Sequence, residues 1–171
     1  GRDGTVHAAH LPGVDRDLVI RIIHASVADR PEFVRSFEAT AQRLAALDHP
    51  AIVGLQDYWR EPGAAYLVMR RMHGGTLADR LARRPLTDAD VAVLVDRIGG
   101  ALVAAADAGI THGRLSADDV LYDDAGDPCL ADFPLVAPRA EGTDGTGRDD
   151  VAVFAALVQA CLVEPSDAVT D

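Results

Sequence analysis

The segment ITHGRLSADDVL, residues 110–121, decides the fold together with Asp132, Phe133 and Pro134 farther along the chain. The segment places polar residues and Gly113 between two apolar runs, which is typical of a loop. The short apolar run at 128–131, just before Asp132, indicates the end of a strand. The pattern therefore predicts a polar loop followed by a strand end, and the rest of the chain must show to which fold this pair belongs.

The composition indicates one domain or a small domain pair. Of the 171 residues, 49% are hydrophobic, which is ample for a core. The net charge of −11 argues against direct nucleic acid contact by this segment and against attraction to an anionic membrane. No apolar run is long enough to span a bilayer, and no signal-peptide pattern occurs. Because Cys129 and Cys161 are too few for a disulfide framework, we predict a reduced, cytoplasmic protein.

The first half of the chain predicts a sheet with one helix. Strands are predicted at 18–23, 52–59 and 64–69, where apolar and β-branched residues cluster. The helix is predicted to begin at Pro31, because proline is favoured at the first helical position, and to run to about Leu47.

The second half predicts mainly helices. The predicted elements are helices at 76–81, 87–109 and 151–163, a hairpin at 120–122 and 128–131, and a mobile Gly-, Pro- and Asp-rich segment at 137–148. In the long helix, apolar residues recur at helical spacing, namely Val91, Val95, Ile98, Leu102 and Ala105. The last helix is so apolar that we expect it to be buried. Since Gly74 and Gly75 break the chain, we predict an α+β protein with an N-lobe at 1–73 and a C-lobe at 74–171.

Several motifs share their order and spacing with a known family. They are DHPAIV at 48–53, AYLVM at 65–69, MHGGTL at 72–77, the segment 110–121, and Asp150-Val151 at the start of the last helix. In these motifs the chain resembles a bacterial Ser/Thr protein kinase domain over nearly its whole length. The resemblance implies a two-lobe protein-kinase-like fold, with a β-rich N-lobe and a helical C-lobe truncated after the large C-lobe helix.

A second resemblance concerns the setting of the domain. Residues 58–70 resemble kinase-like segments of large actinobacterial signalling and transcriptional regulators. This resemblance and the missing initiator Met favour a piece of a longer protein. We therefore expect a regulatory domain that acts through a protein partner or through neighbouring domains of a larger chain.

The resemblance implies substitutions at the positions that carry kinase chemistry. The resemblance places Arg21 at the Lys that grips the nucleotide phosphates, and Thr40 at the Glu that pairs with this Lys. It places Arg114 at the catalytic Asp, Ser116 at a phosphate-binding Lys and Asp119 at a metal-binding Asn. Arg114 cannot accept a proton, since the arginine pKa stays above about 12, and losing a general base costs roughly 10²- to 10⁴-fold. We therefore expect no catalytic residue and a catalytically inactive pseudokinase rather than an enzyme.

The resemblance also outlines a vestigial nucleotide cleft. Its residues would be Gly4, Val6, Val19, Arg21, Met69, Met72, Leu121 and Asp132. Asp119 and Asp132 together could hold a divalent metal ion, because carboxylate oxygens suit Mg²⁺. The favoured interpretation is that the two aspartates pair with Arg21 and Arg114 and fill a pocket that no longer binds nucleotide. We expect no cofactor, with ATP and magnesium as the alternative.

Two further functions stay open beside the pseudokinase. One is a non-catalytic ATP- or metal-binding module, and the other is a weak atypical Ser/Thr kinase that uses Asp118 or Asp119 as its base. An arginine lying across the cleft and bonded to Asp132 would indicate an occluded pocket. The resemblance also implies a structural role for His112, which should tie Phe133 and Asp150 together beneath the cleft.

Overall fold

The structure, a computed structural model, describes residues 4–10, 17–135 and 148–162. The strands are β1 (Gly4–His10), β2 (Asp17–His24), β3 (Leu55–Glu61), β4 (Ala64–Arg70), β5 (Val120–Tyr122) and β6 (Pro128–Leu130). The helices are α1 (Ala25–Ala28), α2 (Pro31–Ala45), α3 (Leu77–Leu81), α4 (Asp88–Asp107) and α5 (Arg148–Leu162). The segment predicted to be mobile lies outside the described residues, apart from Arg148, which begins α5.

The first four strands form one antiparallel sheet in the order β1-β2-β4-β3. Arg21 lies in the middle of β2, opposite Val6 of β1 and Leu67 of β4, so its side chain starts from the centre of the sheet. The strand predicted at 52–59 begins later than expected, at Leu55, because Ile52 forms an isolated bridge with Leu130 in the other lobe.

Helix α2 covers this sheet. It begins at Pro31 as predicted, directly after the extended residue Arg30. Its buried face consists of Phe33, Phe37, Thr40, Ala41 and Leu44. The helix ends at Ala45, two residues before the predicted end. Its apolar face thus packs against the sheet lobe, mainly at β3.

Helix α4 is the main support of the second lobe. It begins at Asp88, directly after the N-cap residue Thr87, which forms a capping box with Asp90. The expectation that Val95 lies on its buried face is wrong, since that side chain is 45% exposed. Leu94 takes the inward position instead and is fully buried, because the inward row of the helix runs through Leu94 and Ile98.

Helix α5 is less buried than its composition suggested. Phe154 and Cys161 are buried, whereas Val151 and Val153 are 55% and 44% exposed. Among the described elements, the helix packs mainly against α4, and part of its surface stays accessible. No helix within the described ranges is long and apolar enough to cross a membrane.

The two lobes meet at a short linker between β4 and α3. Gly74 donates its N–H to the Tyr122 carbonyl at 2.8 Å, and a Cβ on Gly74 would lie 2.6 Å from the Tyr122 Cβ. Glycine is therefore required where the linker touches the second lobe. The predicted two-lobe α+β architecture is observed, while the predicted division into 1–73 and 74–171 stays a prediction.

Candidate functional site

A cavity of about 510 Å³ lies between the sheet and the β5–β6 hairpin. Its lining includes every residue predicted for the cleft: Gly4, Val6, Val19, Arg21, Met69, Met72, Leu121 and Asp132. The cavity is thus lined by residues from β1, β2, β4, β5 and the loop after β6. Arg70 and Arg71 also line it and were missed, although their position between Met69 and Met72 in the sequence was a sufficient signal.

One end of the cavity is apolar. Val6 on β1 and Val19 on β2 come from the sheet, and Leu121 on β5 comes from the second lobe. Met72 of the linker borders the same space, and its backbone N–H and carbonyl have no hydrogen-bond partner within the part of the chain that the structure describes. This end therefore offers flat apolar walls beside a backbone donor and acceptor.

The other end is charged and centres on Asp132. Arg21 from β2 forms an ion pair with Asp132, and Arg114 from the loop donates to it at 3.2 Å. Asp132 has a φ of +60°, a conformation that non-glycine residues rarely adopt. The predicted arginine–aspartate pairing is thus present for Asp132. It does not fill the cleft, because the cavity beside it keeps its volume.

The contacts of Asp119 differ from both predictions, the metal site and the arginine pairing. Its carboxylate accepts the Ser116 N–H and the Ser116 hydroxyl, both at 2.8 Å, and makes no ion pair with a described residue. Ser116 thus holds the turn of the loop. Carboxylate oxygens at Asp119 and Asp132 suit Mg²⁺, which usually takes one or two carboxylates plus phosphate and water oxygens. Within the described ranges no group of three or more His, Cys, Asp or Glu could hold a metal, so the metal pair stays a prediction.

Asp118 is the accessible carboxylate of the cavity. It is exposed, lines the cavity, and has no hydrogen bond or ion pair with any residue that the structure describes. Thr40, in contrast, is buried in α2 and does not line this space. Glu38, its neighbour, lines a separate groove beside Trp59, so α2 brings no carboxylate to Arg21 from that position.

His112 braces the loop from below. Its Nε2 donates to the Ala131 carbonyl at 2.9 Å, and its ring lies 5.1 Å from that of Phe133. Asp150 at the start of α5 accepts the N–H groups of His112 and Gly113 at 2.7 and 2.6 Å. The predicted structural role of His112 is therefore confirmed, and the loop carrying Arg114 to Asp119 is fixed to α5.

Comparison with known sequences points to one family. The protein kinase domain family model matches residues 1–151. Serine/threonine-protein kinase PknL of Mycobacterium bovis is 32% identical over 149 residues, which are 86% of this chain and 37% of PknL. Serine/threonine-protein kinase PrkC of Bacillus subtilis is 30% identical over 131 residues, which are 76% of this chain and 20% of PrkC. The chain thus spans well under half the length of these relatives.

Solved structures confirm the fold. The PknI kinase domain of Mycobacterium tuberculosis superimposes with a TM-score of 0.82 at 23% identity, over 100% of this chain and 72% of that one. Rad53 1–466 in complex with AMP-PNP superimposes with a TM-score of 0.76 at 25% identity, over 95% of this chain and 45% of that one. Both likenesses agree with the two-lobe kinase-like fold predicted from the motifs.

The comparisons correct the expectation that the chain is not an enzyme. That expectation is wrong, because the protein kinase domain family model matches residues 1–151 and the relatives are named serine/threonine-protein kinases. Arg114 at the family's base position does not by itself exclude the reaction, because other carboxylates line the same cavity. The expected protein partner, the place in a transcriptional regulator and the cytoplasmic location stay predictions.

Proposed function

Since the chain belongs to the protein kinase domain family, we propose that it binds ATP between its lobes and slowly transfers the γ-phosphoryl group to a serine or threonine hydroxyl. The observation that carries the proposal is the open cavity of about 510 Å³, which is apolar at one end and charged at the other. Small-molecule sites typically measure about 300–1,000 Å³ and combine apolar walls with a few convergent polar groups. A nucleotide has the same division between a flat base and charged phosphates.

The apolar end suits the adenine ring. Val6 and Val19 would cover one face of the ring and Leu121 the other. The backbone of Met72, unpaired within the described residues, supplies a donor and an acceptor for the edge of the base.

The charged end suits the phosphates. Arg21 and Arg114 carry fixed positive charge, and the guanidinium fork matches phosphate oxygens in a bidentate geometry. Asp119 and Asp132 would hold the magnesium ion, which neutralises charge on the phosphates. All sixteen basic residues of the chain are arginine, so these guanidinium groups take the place of the lysines of the family.

Asp118 is the residue that we assign as the base. In the transfer, the substrate hydroxyl oxygen forms a bond to the γ-phosphorus, the bond to the bridging oxygen of ADP breaks, and Asp118 accepts the hydroxyl proton. Its carboxylate is exposed in the cavity and unengaged by described residues, whereas Asp119 and Asp132 already accept hydrogen bonds. We expect a slow reaction because the position of the family's base holds Arg114.

Two measurements test the proposal. Addition of millimolar ATP with Mg²⁺ or Mn²⁺ should raise the melting temperature, since a ligand that binds only the folded state stabilises it. Incubation with γ-³²P-labelled ATP and casein should label the protein substrate. Asp118→Asn should lower the labelling rate about 10²- to 10⁴-fold, and Asp132→Asn should abolish it.

The matched control is Asp96→Asn, which removes an exposed carboxylate from α4, away from the cavity. It should leave both measurements unchanged. No melting shift and no labelling would overturn the whole proposal. A melting shift without labelling would overturn the transfer step and leave ATP binding.

The role of the longer protein is a separate proposal. Because the chain spans 37% of PknL and 20% of PrkC, the activity and partners of the whole protein are not carried over. We propose that this kinase-like unit belongs to a larger signalling or transcriptional regulator and contacts a protein partner. The measurement is cross-linking and mass spectrometry of the full-length protein, in which neighbouring domains should link to this unit.

A further inference from the structure

The linker between the lobes is held by backbone hydrogen bonds on both sides of a two-residue pivot. On the sheet side, Arg71 donates its N–H to the Asp17 carbonyl at 3.0 Å. On the other side, Gly74 donates to the Tyr122 carbonyl at 2.8 Å. Only Met72 and His73 lie between these anchors. A change in the angle between the lobes would therefore act on these two residues first.

The side chain of His73 spans this pivot. Its Nε2 lies 3.1 Å from a carboxylate oxygen of Asp17, the first residue of β2. Its Nδ1 lies 2.8 Å from a carboxylate oxygen of Asp124, in the turn between β5 and β6. One imidazole thus connects the sheet lobe with the helical lobe through side-chain contacts alone.

These two contacts depend on the protonation of the ring. A neutral imidazole carries one N–H, and its other nitrogen is an acceptor. A carboxylate cannot donate, so both contacts form together only when both ring nitrogens of His73 are protonated. When the ring loses a proton, one nitrogen presents its lone pair to a carboxylate, and one of the two lobe contacts is lost.

Groups of both charge signs surround the ring. Asp17 also lies 3.2 Å from Nδ1 of His10, and hydrogen bonds from His10 and His73 hold the pKa of the Asp17 carboxyl below its usual value. Arg70 and Arg71 line the same small cavity as Asp17, His73 and Asp124 and oppose the positive ring. The two carboxylates touch the ring directly, at 3.1 and 2.8 Å.

We propose that His73 is a positioning residue, a protonation-dependent clamp between Asp17 and Asp124 that sets the separation of the two lobes. The neighbouring pivot residue, Met72, lines the larger cavity, so the clamp also controls the width of that cavity. The clamp itself stands on the contacts of His73, and only its effect on ATP affinity rests on the proposed function.

Lobe separation is measured by electron–electron double resonance between spin labels on Arg60→Cys and Asp107→Cys, which are exposed sites in different lobes. The native cysteines, Cys129 and Cys161, are buried and should not be labelled. In the otherwise unchanged protein, the distance distribution should be narrow at about pH 5.5 and broader at about pH 8, on either side of the histidine titration range. Nitrogen-15 spectra should show both His73 ring nitrogens protonated at the lower pH.

Three variants complete the test. His73→Gln and Asp124→Asn should give the broad distribution at both pH values, whereas His24→Gln, an exposed histidine elsewhere on the sheet lobe, should behave like the parent protein. Circular dichroism checks that each variant is folded. The ATP dissociation constant of the parent should rise about two- to fivefold between the two pH values, as expected for an exposed ion pair.

The outcomes separate the two proposals. A distance distribution that does not change with pH, or that changes equally in His73→Gln, overturns the clamp. A pH dependence of the distance distribution that disappears in His73→Gln supports the clamp even where ATP does not bind. The absence of ATP binding then counts against the proposed function alone.

Discussion

Replacing Asp150 by alanine should destabilise the protein because one carboxylate holds the whole loop that borders the cleft. Asp150 is 4% exposed and accepts the N–H groups of His112 and Gly113 at 2.7 and 2.6 Å. Alanine leaves both donors without this acceptor. An unsatisfied buried donor costs about 1–3 kcal/mol. Because Gly113 lies near solvent, the cost of leaving its N–H unpaired falls at the low end of this range. The sum is a loss of about 2–4 kcal/mol in the free energy of unfolding, a large part of the roughly 5–15 kcal/mol typical of a domain.

The assay is urea unfolding followed by circular dichroism. The matched control is Asp149→Ala, since Asp149 is exposed in the same first turn of α5 and contributes mainly through the helix dipole, about 0.3–1 kcal/mol. Asp150→Asn should lie between the two, because the amide keeps one acceptor oxygen and turns its NH₂ towards the second donor. A loss below about 1 kcal/mol for Asp150→Ala, or a loss equal to that of the control, would refute the assignment of Asp150 as the anchor of the loop.

Two other changes probe the linker and α4. Gly74→Ala should destabilise by about 1–3 kcal/mol in thermal unfolding, because its Cβ would lie 2.6 Å from the Tyr122 Cβ, whereas Gly54→Ala, which meets nothing within 4 Å, should be nearly neutral. Thr87→Ala should cost about 1 kcal/mol through loss of the helix cap. Hydrogen bonds from the Thr87 N–H, which is the larger cause, and from the Thr87 hydroxyl hold the pKa of Asp90 below its usual 3.8, and alanine removes only the hydroxyl. The stability that this pKa shift contributes is fully present above the pKa of Asp90 in the unfolded state. It is lost as the pH falls through the lower pKa of Asp90 in the folded state. Unfolding of Thr87→Ala should therefore depend less on pH below about 4 than that of the parent, and equal dependence would contradict this account.

Local rules predicted most of the elements correctly. Pro31 begins α2 as expected, and α4 begins within one residue of its predicted start, because a first-position proline and a helix cap act within one helical turn. Burial was less predictable than helix formation. Composition indicated a buried α5, yet Val151 and Val153 are exposed, since burial depends on which elements pack against each side of a helix. Spacing alone likewise could not decide between Leu94 and Val95 for the inward row of α4.

The residues of the cleft were predictable, but their mutual contacts were not. A motif match places Arg21, Arg114 and Asp132 at one site, and the structure brings them together. The bonding of Asp119 to Ser116 follows from the backbone conformation of the loop, which residue spacing does not define. The bridge made by His73 joins residues far apart in the sequence and involves no recognised motif, so it required coordinates.

The charge of the cavity differs in sign from that of the chain. The chain carries a net charge of −11, and an anionic nucleotide would be repelled by an average patch of such a surface. Among the residues that the structure describes, the cavity is lined by four arginines, Arg21, Arg70, Arg71 and Arg114, and by three aspartates, Asp118, Asp119 and Asp132, which leaves one positive charge in excess. A cleft with low-dielectric walls concentrates this local field. Under the proposed function, arginine would take at this site the role that lysine has in the family, and the missing lysines do not by themselves exclude phosphate binding. The replaced base at Arg114 is a distinct question, because it concerns the rate of proton removal and not affinity. Affinity and turnover should consequently respond to different residues, with Arg21 governing the first and Asp118 the second.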